Sequence, residues 1–137
     1  MKTKDATNIL VTVDTGKING NNVENFVVFT DDNGNSRGKP GNAKDFTSKV
    51  EKDKWVYWKG KAMDESSSDS VEIIEVQRKS RDGGAEILSS TSRVQNGTVK
   101  GKIKDKDVQG EELYDLTFSI NGDPQKTFTI DPKLKML

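Results

Sequence analysis

Apolar residues along this chain recur mostly at alternate positions, in short runs separated by clusters of Gly, Asn, Asp and Ser. A period of two with such breaks is typical of an antiparallel β protein, and helical periodicity is nearly absent. The pattern predicts an all-β fold, a single-domain antiparallel β-sandwich over residues 1–137, with a β-barrel as the alternative. About eight strands are expected, at residues 8–13, 24–30, 54–59, 71–79, 85–89, 98–104, 112–120 and 126–130.

The clearest strand signal lies at residues 112–120, where every second position from Tyr114 to Ile120 is apolar and the positions between are polar. Such alternation places the apolar side chains on one face of a sheet. Asn121 and Gly122 follow directly, and Asn-Gly is a strong signal for a hairpin turn. The sequence therefore predicts a hairpin in the last quarter of the chain.

Two other segments depart from simple alternation. Within residues 71–76 the apolar face changes between Ile73 and Ile74, which predicts a β-bulge or a local twist. Residues 45–50 lack strand alternation and start at Asp45, a residue that often caps helices, so a single helical turn is expected there.

The stretch KDKWVYWKG, residues 52–60, holds both tryptophans of the chain. In an extended strand Trp55 and Tyr57 share one face, while Val56 and Trp58 share the other. Because the chain has few other large apolar groups, the core needs at least one of these faces. The other face is free for a second subunit or a ligand, so Trp55, Tyr57 and Trp58 are the candidate ligand-binding residues.

The composition removes most enzymatic chemistry. The chain has no histidine and no cysteine, and therefore lacks the commonest general base, thiol nucleophiles and the usual ligands of transition metals. Close carboxylates such as Glu72 and Glu75 come without any sign of a cleft, and acids are frequent enough for such pairs to arise by chance. We expect no enzymatic activity, no catalytic residue, no resident metal and no cofactor.

One loop has part of a calcium-binding pattern. Asp31, Asn33 and Asn35 place oxygen-bearing side chains at alternate positions, as calcium loops do. Counted from Asp31, however, an EF-hand loop needs glycine at its sixth position and an acid at its twelfth, where this chain has Ser36 and Asn42. A plain turn is the favoured interpretation.

Lysine occupies every second position from Lys100 to Lys106. A regular strand would present all four on one face, and beside Trp55 and Trp58 they could hold a single strand of nucleic acid. Lysines on the outer face of an edge strand also protect sheets against aggregation. Since 22 basic residues balance 22 acidic ones, no overall field attracts a polyanion, and nucleic acid is not favoured as a partner.

The first residues, MKTKDATNILVTVD, contain an apolar run of only about five residues. This run is too short for the hydrophobic region of a signal peptide, and no segment approaches the length of a membrane span. The sequence therefore predicts a cytoplasmic protein with no membrane partner.

Three segments carry a resemblance to a known family: NILVTVDT near the start, VEKDKWVYWKG in the middle, and YDLTFSINGDPQKTFTIDPKLKM near the end. They resemble the bacterial inclusion-body protein family, the PixA and AidA group. The matching positions are Asp14, residues 53–58, and Asp131 with Pro132. The resemblance implies a cytoplasmic antiparallel β-sandwich, often a homodimer, that accumulates and self-assembles without an established enzymatic activity.

Two functions remain open at this stage. The first is a non-enzymatic structural or interaction protein that forms a homo-oligomer, at least a dimer, through a sheet edge or through its apolar tail, which contains Leu134, Met136 and Leu137. The second is a β-sandwich that binds a glycan or another small, flat ligand, with Trp55 or Trp58 as the stacking surface.

Overall fold

The computed structural model describes residues 6–21, 23–32, 46–64, 66–78, 85–94 and 97–136. Ten strands form within these ranges, together with short 3-10 helices at Val23–Phe26 and Pro124–Lys126. In chain order the strands are β1 Ala6–Val13, β2 Val27–Asp31, β3 Thr47–Val50, β4 Trp55–Ala62, β5 Val71–Arg78, β6 Leu88–Val94, β7 Thr98–Ile103, β8 Glu111–Ile120, β9 Thr127–Ile130 and β10 Lys133–Met136.

These strands confirm the predicted all-β fold, with two strands more than the alternation indicated. The helical turn predicted for residues 45–50 is wrong, because Thr47–Val50 is β3. The other added strand is β10. Both have four residues, which is too few for alternation to stand out from a polar loop. The strand predicted at 85–89 begins three residues later and extends to Val94.

The strands form two sheets, and the core lies between them. The first sheet has the order β2-β1-β4-β7-β6. The second has the order β3-β10-β8-β5, and β9 pairs with β8 beside β10. Neither sheet closes on itself within the described ranges, so the fold is the sandwich and not the barrel. Inward side chains of both sheets form one apolar cluster, which includes Phe29, Trp58, Tyr114 and Phe118.

The sequence predicts purely antiparallel sheets, whereas the two sheets of the structure are mixed. β1 and β4 run parallel from Ala6 opposite Trp55 to Val13 opposite Ala62. β3 and β10 are also parallel. Alternating apolar residues look the same in either direction, and parallel pairs need only a long connection, which the chain has in both places.

The predicted bulge and hairpin are both present. The register between β5 and β8 shifts between Ile73 and Glu75, as the change of face indicated. After β8, Asn121 and Gly122 both have positive φ, at 56° and 68°, and the chain returns as β9. The connection is longer than a two-residue turn because the 3-10 helix Pro124–Lys126 follows.

The tail of the chain belongs to its own core. β10 lies between β3 and β8, where Leu134 is fully buried and Met136 nearly so. Asp131 and Pro132 only interrupt the path from β9 to β10, and both strands pair with β8. The expectation that this apolar tail could hold a second protomer is therefore wrong for Leu134 and Met136. Leu137 lies outside the described residues.

Gly60 marks the closest approach between β4 and the start of β5. A Cβ atom built on Gly60 would lie 2.5 Å from Cγ1 of Val71 and 2.7 Å from its carbonyl oxygen. Backbone cannot move aside as easily as a flexible side chain, so any larger residue would push the two sheets apart at this point.

We expect Gly60→Ala to reduce the free energy of unfolding by about 1–3 kcal/mol, because it overpacks this contact. The matched control is Gly20→Ala, since a Cβ atom at Gly20 would contact nothing within 4 Å. Urea titrations of both variants measure the effect, and equal midpoints for the two would contradict it.

Candidate functional site

Trp58 lies in the core and joins the two sheets. Its indole Nε1 donates a hydrogen bond of 3.1 Å to the hydroxyl of Tyr114 on β8, and the two rings meet edge to face. Burial raises the pKa of the Tyr114 hydroxyl well above its usual range, so the group stays protonated. Because none of Trp58 is exposed, it has no surface to offer a ligand.

Trp55 and Tyr57 lie on the opposite, outer face of β4 and are half-buried. The register places Trp55 beside Lys102 and Tyr57 beside Lys100 on β7. The ammonium groups of Lys100 and Lys102 lie 4.8 and 5.0 Å from the centre of the Trp55 ring. Such cation–π contacts are worth about 0.5–1 kcal/mol each at exposed sites. Ligand binding at this strand remains a prediction, and it now concerns Trp55 and Tyr57.

Further lysines extend this surface along β4. Lys59 and Lys61 are exposed and follow Trp55 and Tyr57 at the same alternate spacing, so they project from the same face. We call Lys59, Lys61, Lys100 and Lys102 the basic face. An acid lies at one end of it, since the ammonium of Lys102 contacts the carboxylate of Asp53 at 3.1 Å and its carbonyl oxygen at 2.8 Å.

Of the four lysines predicted to share one strand face from Lys100 to Lys106, only Lys100 and Lys102 lie on β7. β7 ends at Ile103, and Lys104 turns to Glu86, which it contacts at 3.3 Å. β7 also lies between β4 and β6, so the interpretation of these lysines as protection of an edge strand is wrong. Sequence reasoning missed Lys59 and Lys61 because their proximity to β7 depends on which strands are neighbours.

A groove of about 580 Å³ separates the edges of the two sheets at β5 and β6. The hydroxyl of Thr91 crosses it and donates a 3.1 Å hydrogen bond to the carbonyl of Val76. Both strands carry a register shift, in β5 after Ile73 and in β6 after Leu88. Bulges of this kind hinder the pairing of an added strand.

Glu112 is a buried acid that ties β8 to the start of β6. One carboxylate oxygen accepts hydrogen bonds from the backbone N–H groups of Ile87 and Leu88, at 2.5 and 2.7 Å. The other oxygen is buried and has no hydrogen-bond partner among the residues that the structure describes. Burial raises the pKa of Glu112, against the two backbone bonds and the nearby charges of Arg78 and Lys104, which lower it. Sequence reasoning missed Glu112 as a buried residue. Its position two residues before Tyr114 places both side chains on the same face of the strand, and this spacing could have revealed its burial.

The partial calcium-binding pattern cannot be compared with the structure, because Asn33 and Asn35 lie outside the described residues. Asp31 is within them and accepts a 2.6 Å hydrogen bond from the hydroxyl of Ser48. Among the residues that the structure describes, no three acidic side chains are grouped to hold a metal ion. In the same ranges no helix is long and apolar enough to cross a membrane.

The sequence model of a family described as a domain of unknown function, DUF8788, matches residues 5–126. The chain belongs to this family. The match includes β1 to β8 and ends before β9, so it covers both the basic face and Glu112 of this DUF8788 chain. A search of curated proteins found no match.

Among solved structures, this DUF8788 chain is similar to the crystal structure of the inclusion body protein PixA from Burkholderia cenocepacia J2315. The superposition has a TM-score of 0.69 and covers 99% of this chain and 98% of that one, at 16% sequence identity. At this identity the likeness shows a common fold. The resemblance that the sequence indicated is thereby confirmed, and it extends over nearly the whole length.

We expect the two tryptophans to differ in fluorescence. Trp55→Phe leaves the buried Trp58, whose emission should be blue-shifted and little quenched by acrylamide, whereas Trp58→Phe leaves Trp55, which should be quenched more strongly. Trp58→Phe should also lower the free energy of unfolding by about 1–3 kcal/mol, because the Tyr114 hydroxyl loses its partner. Equal quenching of the two variants would contradict this arrangement.

We also expect Glu112 to make stability depend on pH. Because its pKa is raised in the folded state, its contribution is fully present below the pKa of an unfolded glutamate and is lost as pH rises through the folded value. The free energy of unfolding of the wild type should therefore fall relative to Glu112→Gln as the pH rises above the pKa of an unfolded glutamate, about 4.3. Urea titrations at a series of pH values measure the difference, and Glu111→Gln is the exposed control. A difference that does not change with pH would contradict the expectation.

Proposed function

We propose that this chain is a non-enzymatic structural protein that associates with copies of itself. The observation that carries the proposal is the fold shared over nearly the whole chain with a protein described as an inclusion body protein. The proposal includes one domain over residues 1–137, a homo-oligomer of at least two copies, and a cytoplasmic location.

The charge of the chain supports association. Its 22 basic and 22 acidic residues leave no net charge, and a protein without net charge lacks the colloidal repulsion that keeps copies apart. Long-range repulsion therefore does not oppose the contact, and short-range contacts decide whether copies associate.

The outer face of the first sheet supplies apolar area for such a contact. Leu10 and Val28 are half-buried on this face, as are Trp55 and Tyr57. The register places Leu10 of β1 beside Lys59 of β4. On the other side of β1, Thr12 lies opposite Val28 of β2. These side chains are partly accessible, and a second copy would remove them from water.

The other routes expected from the sequence are less suitable. The apolar tail is occupied, because Leu134 and Met136 pack in the core of their own chain. The sheet edges at β5 and β6 carry bulges, which oppose strand addition. A sheet face is therefore a better surface for association than an edge.

A second candidate function is the binding of a small, flat ligand or a glycan at Trp55 and Tyr57. It is favoured by the partial exposure of both rings on one sheet face. The two ammonium groups over Trp55 weaken it, because a sugar would have to displace them before it could stack on the indole.

We expect the weight-average mass, measured by static light scattering, to rise with protein concentration. The physical reason is that a small, partly apolar face binds weakly, so that occupancy follows mass action. Urea at a concentration below the unfolding transition should reduce the mass, because it weakens apolar contacts. A mass equal to that of one chain at every concentration would overturn the proposal.

A further inference from the structure

The outer face of the first sheet is basic, and one half of the outer face of the second sheet is acidic. The basic face on the first sheet carries four lysines around Trp55 and Tyr57. On the second sheet, Glu72 and Glu75 project outward from β5, and Asp115 projects outward from the neighbouring strand β8, opposite Gln77. We call Glu72, Glu75 and Asp115 the acidic half of the second sheet.

The acidic half occupies only part of the second sheet. At the opposite edge, Lys49, Lys133 and Lys135 project from β3 and β10, with Glu111 opposite Lys135. The outer face of this sheet is therefore negative beside β5 and mainly positive beside β3. A basic surface that lies on it is attracted to the β5 side and repelled from the β3 side, which fixes its position.

We infer that the basic face of one copy docks on the acidic half of the second sheet of another copy. The inference rests on the proposed function and names the two surfaces that would meet. The two surfaces differ and belong to different sheets, and they approach each other where Lys61 and Glu72 line one groove between the sheet edges. Each bound copy still presents one free surface of each kind. Contacts of this head-to-tail type add copies without an inherent end unless the rotation closes a ring.

The area of the faces is sufficient for a weak, specific contact. β4 has eight residues, and five neighbouring strands about 4.8 Å apart give a face on the order of 500–600 Å². Full overlap of two such faces would bury on the order of 1,000–1,200 Å², the lower end of the range for specific interfaces, and an offset contact on the β5 side buries less, as weak transient contacts do. Association should accordingly depend on concentration and on the charges.

The ammonium groups of Lys100 and Lys102 are already positioned for the contact. Both lie over the Trp55 ring, which limits the side-chain freedom that they would lose on binding. Lys59 and Lys61 lie further along β4 and are exposed. The basic face therefore combines two ammonium groups held beside an aromatic ring with two exposed lysines at its other end.

A polyanion such as nucleic acid is the competing occupant of the basic face. The second copy is favoured because the complementary charge lies on the same chain, on a face of matching size. The overall balance of 22 basic and 22 acidic residues gives no attraction for a polyanion at long range.

The test uses two charge-reversed variants and one control. Lys59→Glu with Lys61→Glu reverses part of the basic face, and Glu72→Lys with Glu75→Lys reverses part of the acidic half. The control, Lys106→Glu with Lys126→Glu, makes the same change in net charge as the first variant at exposed positions that belong to neither surface. Circular dichroism establishes that all three fold.

Light scattering at matched concentrations then measures association. Each face variant alone should need at least about tenfold more protein than the wild type to reach the same mass, while the control should need the same amount. A 1:1 mixture of the two face variants should recover association, and so should one chain that carries all four substitutions. Raising salt from about 0.01 M to about 1 M should reduce the mass of wild-type particles, because the Debye length falls from about 30 Å to about 3 Å.

Three results would overturn the inference. The first is association that changes neither with salt nor in either face variant. In that case the chain would still self-associate, as the proposed function requires, but through another surface. The second is a chain that never associates, which would remove the proposed function as well. The third is tight binding of a single-stranded oligodeoxynucleotide by the wild type that Lys59→Glu with Lys61→Glu abolishes, together with self-association unchanged by Glu72→Lys and Glu75→Lys.

Discussion

The contact between Trp58 and Tyr114 sets the distance between the two sheets. The indole reaches from β4 across the core, and its N–H group donates a hydrogen bond to the hydroxyl of Tyr114 on β8. Gly101 makes room for this, because a Cβ atom at that position would lie 3.0 Å from the indole ring. With Trp58 fixed inward, the strand period of two leaves Trp55 and Tyr57 no alternative to the outer face. The surface chemistry of the first sheet thus follows from a packing requirement in the core.

Balanced composition concealed an uneven distribution of charge. The sequence has equal numbers of acids and bases, which excluded an overall field but did not show where local patches of charge would form. In the structure, parallel pairing brings β1 beside β4, and β7 lies on the other side of β4, so lysines from separate segments share one face. Acids from β5 and β8 meet on the opposite side. The arrangement therefore gathers a basic face and an acidic half on different sheets although the total charge is zero.

The sequence predicted those parts of the fold whose signal is local. The alternation from Tyr114 to Ile120, the bulge after Ile73 and the turn at Asn121 all depend on neighbouring residues, and all three were predicted correctly. Strand direction and sheet order depend on contacts between distant segments, which a single sequence does not contain. The same distinction applies to the two tryptophans. Alternation placed Trp55 and Trp58 on opposite faces of one strand, but only the position of β8 shows which of them is buried.

The position of β10 has a consequence for synthesis of the chain. It is an interior strand of the second sheet, flanked by β3 and β8, although it is the last of the ten described strands in chain order. Until residues 133–136 have emerged, β8 lacks a neighbour along its first residues and β3 has no strand to pair with. A chain that lacks residues 133–136 therefore carries an open seam in the second sheet, and such unpaired edges promote contact between incomplete chains.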